Sequence, residues 1–140
     1  MTAPLTAACL CGRIKLELTL PSRWVAHCHC NNCRRAHGAA FVTWAGFDEK
    51  QVRCVAGESE LVHFDTDVQS RRSFCNRCGS TLLFGGERWP GEVHVAVGNI
   101  EGQLDREPAV HAYADRAVSW CPILDDLPKR GGESGTEPLT

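Results

Sequence analysis

The clearest pattern along the chain is the alternation in RIKLELTL, residues 13–20, where Ile14, Leu16, Leu18 and Leu20 share one side and Lys15, Glu17 and Thr19 the other. Successive side chains of a strand point to opposite faces, so this segment predicts a half-buried β-strand. Pro21 and Ser22 turn the chain, and RWVAHC, residues 23–28, predicts a second strand. NNCRRAH, residues 31–37, predicts a short helix, with Asn31 or Asn32 as its cap and Gly38 as its terminator.

Beyond Gly38 the pattern is again β. Strands are predicted at 40–47, 51–56, 60–66, 71–75, 80–84 and 92–98, with turns at Asp48-Glu49, Gly57-Glu58, Gly85-Gly86 and Pro90-Gly91. Residues 99–107 predict a loop, and 109–115 and 118–123 predict edge segments. The polar, glycine-rich residues 129–140 predict a flexible tail. No repeat of solenoid type is present. The expectation is a mainly β chain with one domain over residues 1–128.

A length of 140 residues suits a single domain. The net charge of −2 shows no basic excess, which weighs against general nucleic-acid binding. No apolar run approaches the ~20 residues needed to span a bilayer. Residues 1–8, MTAPLTAA, lack a basic start and a long apolar core, so no secretory leader is predicted and a cytoplasmic location is expected. In that reducing setting nine cysteines argue for metal ligation or thiol chemistry over a disulfide framework.

Seven of the cysteines form three groups: Cys9 with Cys11, then Cys28, Cys30 and Cys33, then Cys75 with Cys78. On an extended chain residues two apart project to one side, so Cys9 and Cys11 can aim at one point. Cys75-x-x-Cys78-Gly79 bends into a knuckle whose glycine tolerates positive φ. Four such sulfurs close a structural zinc site. Spacing leaves two partitions open. Cys30 and Cys33 can join Cys75 and Cys78 in an ordinary ribbon, or Cys9, Cys11, Cys75 and Cys78 can close one site and leave Cys28, Cys30 and Cys33 as a separate triad.

Cys9-x-Cys11-Gly12, Cys28-His29-Cys30-x-x-Cys33-Arg34, Phe74-Cys75-x-x-Cys78-Gly79 and the late Leu127-Pro128 resemble the glutathione-dependent formaldehyde-activating enzyme family, which includes the centromere-protein-V-like domains. The resemblance implies a β-tent, a set of small antiparallel sheets pinned by zinc. It also implies two zinc sites. Cys9, Cys11, Cys75 and Cys78 match the structural ligands. Cys28, Cys30 and Cys33 match the site regarded as catalytic, where glutathione competes for the metal. The family's glycine a few residues before Arg71 is missing from VQSRRSFC.

Three thiolates on Zn²⁺ give a formal charge of −1 and a weak Lewis acid, ill suited to making hydroxide. Such an ion can still take a fourth thiol and strip its proton. The chemistry implied by the resemblance is a carbon–sulfur lyase type, joining glutathione and formaldehyde or splitting the adduct. Arg34 and Arg35 are candidates to hold a carboxylate of the thiol, against a plain surface role. The implied partners are a small-molecule thiol and an aldehyde. A non-catalytic zinc-stabilised binding module is the alternative, and a Cys75/Cys78 redox pair a third reading.

The remaining candidates read more plainly. His29 between two ligands is expected to point away from the metal. His37, four residues after Cys33, shares its helix face and is read as a hydrogen-bonded neighbour ahead of a fourth ligand or proton shuttle. Cys54 and Cys121 read as packing, His63, His94 and His111 as structural histidines. Trp24, Trp44, Trp89 and Trp120 read as core and pocket wall. Arg71 and Arg72 read as balancing the charge of the four-cysteine site. No phosphate loop, Ser-His-Asp arrangement or HExxH helix is present.

Overall fold

Residues 13–20 set the frame. In the computed structural model, which describes residues 4–139, Ile14, Leu16 and Leu18 are buried while Lys15 is exposed, as their alternation requires. Met1–Ala3, at the start of the segment read for a leader, and Thr140, at the end of the tail, lie outside the described residues. The elements run β1 (Leu5–Ala8), β2 (Lys15–Leu18), β3 (Trp24–Cys28), α1 (Asn31–His37), β4 (Val42–Asp48), β5 (Val52–Ala56) and β6 (Leu61–Asp65). They continue with β7 (Ser70–Cys75), β8 (Thr81–Gly86), β9 (Glu92–Ala96), β10 (Ile100–Glu101), β11 (His111–Ala112), β12 (Arg130–Gly131) and β13 (Glu137–Pro138).

Three sheets result. One has the order β10-β1-β2-β5, the second β11-β3-β4-β9-β8-β7-β6, and the third is the hairpin β12-β13. Neighbours are antiparallel except β11, which lies parallel to β3 with His111 opposite His27 and Ala112 opposite Cys28. The mainly β architecture of small sheets with a short helix at 31–37 is the expected one.

The two larger sheets share a core. Leu16 and Leu18 of the first, with Ile14 just before β2, pack with Val25, Ala45, Phe47, Leu82 and Val95 of the second. A smaller cluster of Cys33, Val42, Trp44 and Ala96 lies under α1, with Trp24, Cys28, Cys30 and Phe84 packed against it. The cysteine triad is therefore seated on its own apolar floor.

Several local expectations are corrected. β1 has no signature in the sequence, because its small residues carry no strong period; β2 supplies the partner that makes it a strand. Part of the expected loop 99–107 is β10, which pairs with β1. Gly85 and Gly86 continue β8 opposite Arg71 and Ser70 and make no turn. Residues 118–123 form no strand, and Trp120 is 72% exposed, so it belongs to neither core nor pocket wall.

The expected flexible tail folds back as the β12-β13 hairpin. Tyr113 donates its backbone N–H to the Gly135 carbonyl at 3.0 Å. A Cβ at Gly135 would overlap the Tyr113 ring, and one at Gly131 would overlap the Asp115 carboxylate. Glycine in this segment permits close approach, where composition alone suggests disorder.

Phe47 is fully buried at the junction of the two larger sheets. Phe47→Ala should cost about 3–5 kcal/mol in denaturant unfolding of the metal-loaded protein, and a loss below about 1 kcal/mol would contradict this placement.

Candidate metal centres

The first cluster joins two sheets. Cys9 and Cys11 sit in the connection from β1 to β2, and Cys75 and Cys78 sit where β7 turns into β8. Gly12 and Gly79 both take φ of 79°, the left-handed turn that each Cys-Gly pair needs. Each closes its turn by donating N–H, Gly12 to the Cys9 carbonyl at 3.0 Å and Gly79 to the Cys75 carbonyl at 2.8 Å. Leu10 N–H donates to Ser80 Oγ at 2.8 Å and ties the two turns together.

The four sulfurs lie within 4.8 Å of one another. Cys9 and Cys11 Sγ are 3.6 Å apart, and Cys11 and Cys75 Sγ 3.8 Å. A tetrahedron with Zn–S bonds of ~2.3 Å has edges of about 3.8 Å, so the cluster has the dimensions of a zinc site. Ile14 and Arg77 backbone N–H groups donate to Cys9 and Cys75 Sγ at 3.3 and 3.4 Å. Hydrogen bonding from Ser80 pushes the Cys78 thiol down to about 5, favouring the thiolate a metal requires.

The second cluster is built at one strand–helix junction. Cys28 ends β3, Cys30 caps α1, and Cys33 lies in its first turn. The cap is Cys30, and neither Asn31 nor Asn32. Its backbone is extended, with φ −65° and ψ 155°, and its Sγ accepts the Cys33 N–H at 3.2 Å. Gly38 ends the helix in the left-handed region and donates to the Arg34 carbonyl, as expected. The three sulfurs also lie within 4.8 Å of one another, with Cys28 and Cys33 Sγ 3.5 Å apart. Of the two partitions spacing left open, the structure assembles the four-plus-three arrangement. All nine cysteines are free thiols.

The triad's surroundings favour negative charge. Trp44 Nε1–H donates to Cys33 Sγ at 3.4 Å. Arg72 Nη2 reaches the same sulfur at 3.6 Å, with its guanidinium 4.7 Å from the centre of the Phe84 ring. Arg71 instead pairs with Asp65 at the surface, at 2.6 and 3.1 Å. The expectation that both arginines balance the four-cysteine site is thus corrected. Neighbours on β7 face opposite ways, so Arg71 goes to solvent and Arg72, 8% exposed, goes to the triad. Hydrogen bonds from Cys28 and Cys33 push the Cys30 thiol down to about 2, while those with Cys30 and Cys33 push Cys28 up. A bound divalent ion would displace the thiol protons of the cluster.

His29 points away from the sulfurs, as expected, into a relay that runs from the buried His29 and His111 to the exposed Asp125. Its Nε2 meets His111 Nδ1 at 2.8 Å, and His111 Nε2 meets the Asp125 carboxylate at 2.9 and 3.0 Å. With Asp125 accepting from His111 Nε2–H, a neutral His111 accepts from His29 Nε2–H through Nδ1. Sequence reasoning treated His111 as an isolated structural residue and did not single out Asp125. The linkage spans 82 positions, and local pattern carries no sign of it. His27 Nδ1 bonds Thr43 Oγ1 at 2.7 Å. His37 is not among the residues that converge with the triad sulfurs.

Arg34 braces the start of α1, donating to the His29 carbonyl at 3.4 Å and to Asn31 Oδ1. Arg35 is exposed. Cys54 donates to the Ala56 carbonyl at 3.3 Å and packs on the main core. His63 meets Ser73 Oγ at 2.7 Å and His94 meets Glu92 at 3.2 Å, both satisfied structural histidines. Among the described residues no helix is long and apolar enough to cross a membrane.

Residues 4–116 match a family model described as glutathione-dependent formaldehyde-activating enzyme. A Schizosaccharomyces pombe protein named as an uncharacterized lyase is 29% identical over 76 residues, which cover 54% of this chain and 53% of that protein. The chain thus spans about half the length of this curated relative. A crystal structure of a Rhodobacter sphaeroides protein from a structural-genomics programme aligns with a TM-score of 0.61 and 27% identity, covering 72% of this chain and 92% of that one.

Replacing His111 with Phe keeps bulk but leaves His29 Nε2 buried and unpaired, and should cost about 1–3 kcal/mol in denaturant unfolding. An unchanged midpoint would show that the relay bears no load. Burial, aided by His111, pushes His29 down to about 4, and burial with the Arg72 charge does the same to His37. Both stay neutral in the fold while the unfolded chain takes protons near the ordinary 6.5. Their contribution is complete above that value and is lost as pH falls toward about 4. Histidine NMR titration should find both rings neutral at pH 5.5; a midpoint near 6.5 for either would contradict this.

Proposed function

Because the chain belongs to the glutathione-dependent formaldehyde-activating enzyme family, we propose that it is a zinc-dependent enzyme of carbon–sulfur lyase type that joins and splits adducts of a small-molecule thiol and an aldehyde. Glutathione and formaldehyde are the pair the family description implies. The lyase name of the S. pombe relative supports the same reaction class. The nine free thiols suit a reducing cytoplasm.

The observation that carries this reading is the contrast between two sulfur clusters. Four sulfurs complete a tetrahedral zinc, and three leave such an ion one position for an outside ligand. Cys9, Cys11, Cys75 and Cys78 would hold a structural zinc where two sheets meet. Cys28, Cys30 and Cys33 would hold a second. Zinc bound there would lower the pKa of an entering thiol, so that it reaches the aldehyde as a nucleophile at neutral pH.

The chain's own residues set up that chemistry. Arg72, beside Cys33, offsets the net charge of −1 that three thiolates and a divalent ion carry. Trp44 N–H and the Cys33 amide fix the directions of two sulfurs. The relay from His29 to Asp125 holds the backbone between Cys28 and Cys30, so the ligands keep their spacing. Arg34 is occupied at the helix start. Arg35, exposed one residue further, is the better placed of the two to meet a carboxylate of the thiol.

Cys30→Ser tests the division of labour. Zinc analysis should fall from two equivalents to one, and exchange NMR should lose the acceleration of thiol–aldehyde adduct formation, with the fold retained. Cys75→Ser should unfold the chain instead. If Cys30→Ser unfolds as Cys75→Ser does, the roles assigned to the two clusters are wrong.

A further inference from the structure

Two buried side-chain nitrogens among the described residues lack any hydrogen-bond partner, His37 Nε2 and Arg72 Nη1. Both belong to one cluster around Cys33. The His37 ring meets Trp44 edge-on at 5.3 Å, Trp44 packs on Phe84 at 5.8 Å, and Phe84 carries the Arg72 guanidinium at 4.7 Å. Trp44 Nε1 and Arg72 Nη2 both touch Cys33 Sγ. Arg72 thus spends one end of its fork on the triad and leaves the other end bare.

Leaving a buried donor unmade costs about 1–3 kcal/mol, more when it is charged, so each of these orphans calls for an acceptor. His37 also lines a cavity of about 490 Å³ between α1 and the Cys75–Cys78 knuckle, with Phe41, Thr43, Ser80, Thr81 and Asn99 in its wall. His37 therefore joins the cavity wall to the cluster around Cys33 that Arg72 also belongs to.

We propose that Arg72 Nη1 and His37 Nε2 form a two-donor oxygen site beside Cys33, which holds the carbonyl oxygen of the aldehyde and stabilises the charge it acquires as sulfur adds. This assignment of role rests on the thiol–aldehyde reading above. In the step, the thiol gives up its proton, its sulfur forms a bond to the carbonyl carbon, and the C=O π pair moves onto oxygen. That oxygen then takes one proton, so thiol and aldehyde sum to the hydroxyalkyl thioether with nothing oxidised or reduced. Arg72 contributes a fixed positive donor, and His37, in the tautomer with hydrogen on Nε2, a neutral one. Both stand in a buried site where such donors act most strongly. The reverse reaction uses the same pair.

Formate, a small oxygen acceptor, probes the site apart from turnover. Titrated into zinc-loaded, ¹⁵N-labelled protein, it should shift the side-chain resonances of Arg72 and His37 with one saturating isotherm. Arg72→Gln and His37→Phe should each weaken it by about tenfold or more while zinc content stays at two equivalents. Arg72→Lys, which keeps the charge beside Cys33, guards against a folding defect and should bind formate between wild type and Arg72→Gln. In adduct formation His37→Phe should lower kcat by about 10²–10³ without weakening thiol binding. Formate that shifts neither resonance, or binds all variants equally, overturns the oxygen site. Formate binding at both residues in a protein that accelerates no adduct supports the oxygen site and sinks the thiol–aldehyde reading instead.

Discussion

Crowded sulfur is the constraint on which this structure depends. Seven thiols stand in two groups whose sulfurs lie within 4.8 Å of one another, some pairs only 3.5–3.8 Å apart, close enough that such thiolates would repel by about 4–5 kcal/mol at an effective dielectric of 20. Protonation relieves that repulsion but removes the thiolates that a metal binds. A divalent cation relieves it and binds all the sulfurs at once. The turn glycines and the backbone N–H groups aimed at sulfur are what a chain needs to hold thiolates in place before an ion arrives.

Under the proposed function the two clusters divide the work. The four-sulfur cluster bridges the turn between β1 and β2 and the turn between β7 and β8, so it fixes one sheet against the other. The triad sits on a single junction between β3 and α1, over its own small apolar floor, and joins no sheets. A site that staples distant segments has the anatomy of a structural element. One built from six consecutive residues, backed by a buried arginine, a tryptophan N–H and a histidine relay, has the anatomy of a working centre. The supporting shell comes from far along the chain: Trp44 on β4, Arg72 on β7, His111 on β11 and Asp125 beyond it.

Much of this was legible in sequence, and the misses share a cause. The strand alternation of Ile14, Leu16 and Leu18 and the helix at 31–37 follow from local periodicity, and the cysteine positions announce metal chemistry directly. Partition of the cysteines needed the family resemblance, because spacing of two or three residues says nothing about which distant pair closes a site. Arg71 and Arg72 look alike in sequence, and only the pleat of β7 decides that one faces Asp65 and the other Cys33. The cap at Cys30 displaced the better cap residues Asn31 and Asn32 because the sulfur had to face its partners. Gly131 and Gly135 read as looseness, yet in place they admit Asp115 and the Tyr113 ring.

X-ray absorption at the zinc edge, before and after addition of glutathione to freshly purified protein with two zinc equivalents, tests the vacancy at the triad most directly. The account requires the mean number of sulfur neighbours per zinc to rise from about 3.5 to about 4 as one outside sulfur joins the three-cysteine site. A mean of about 4 before any thiol is added, or a value that glutathione leaves unchanged, would contradict it.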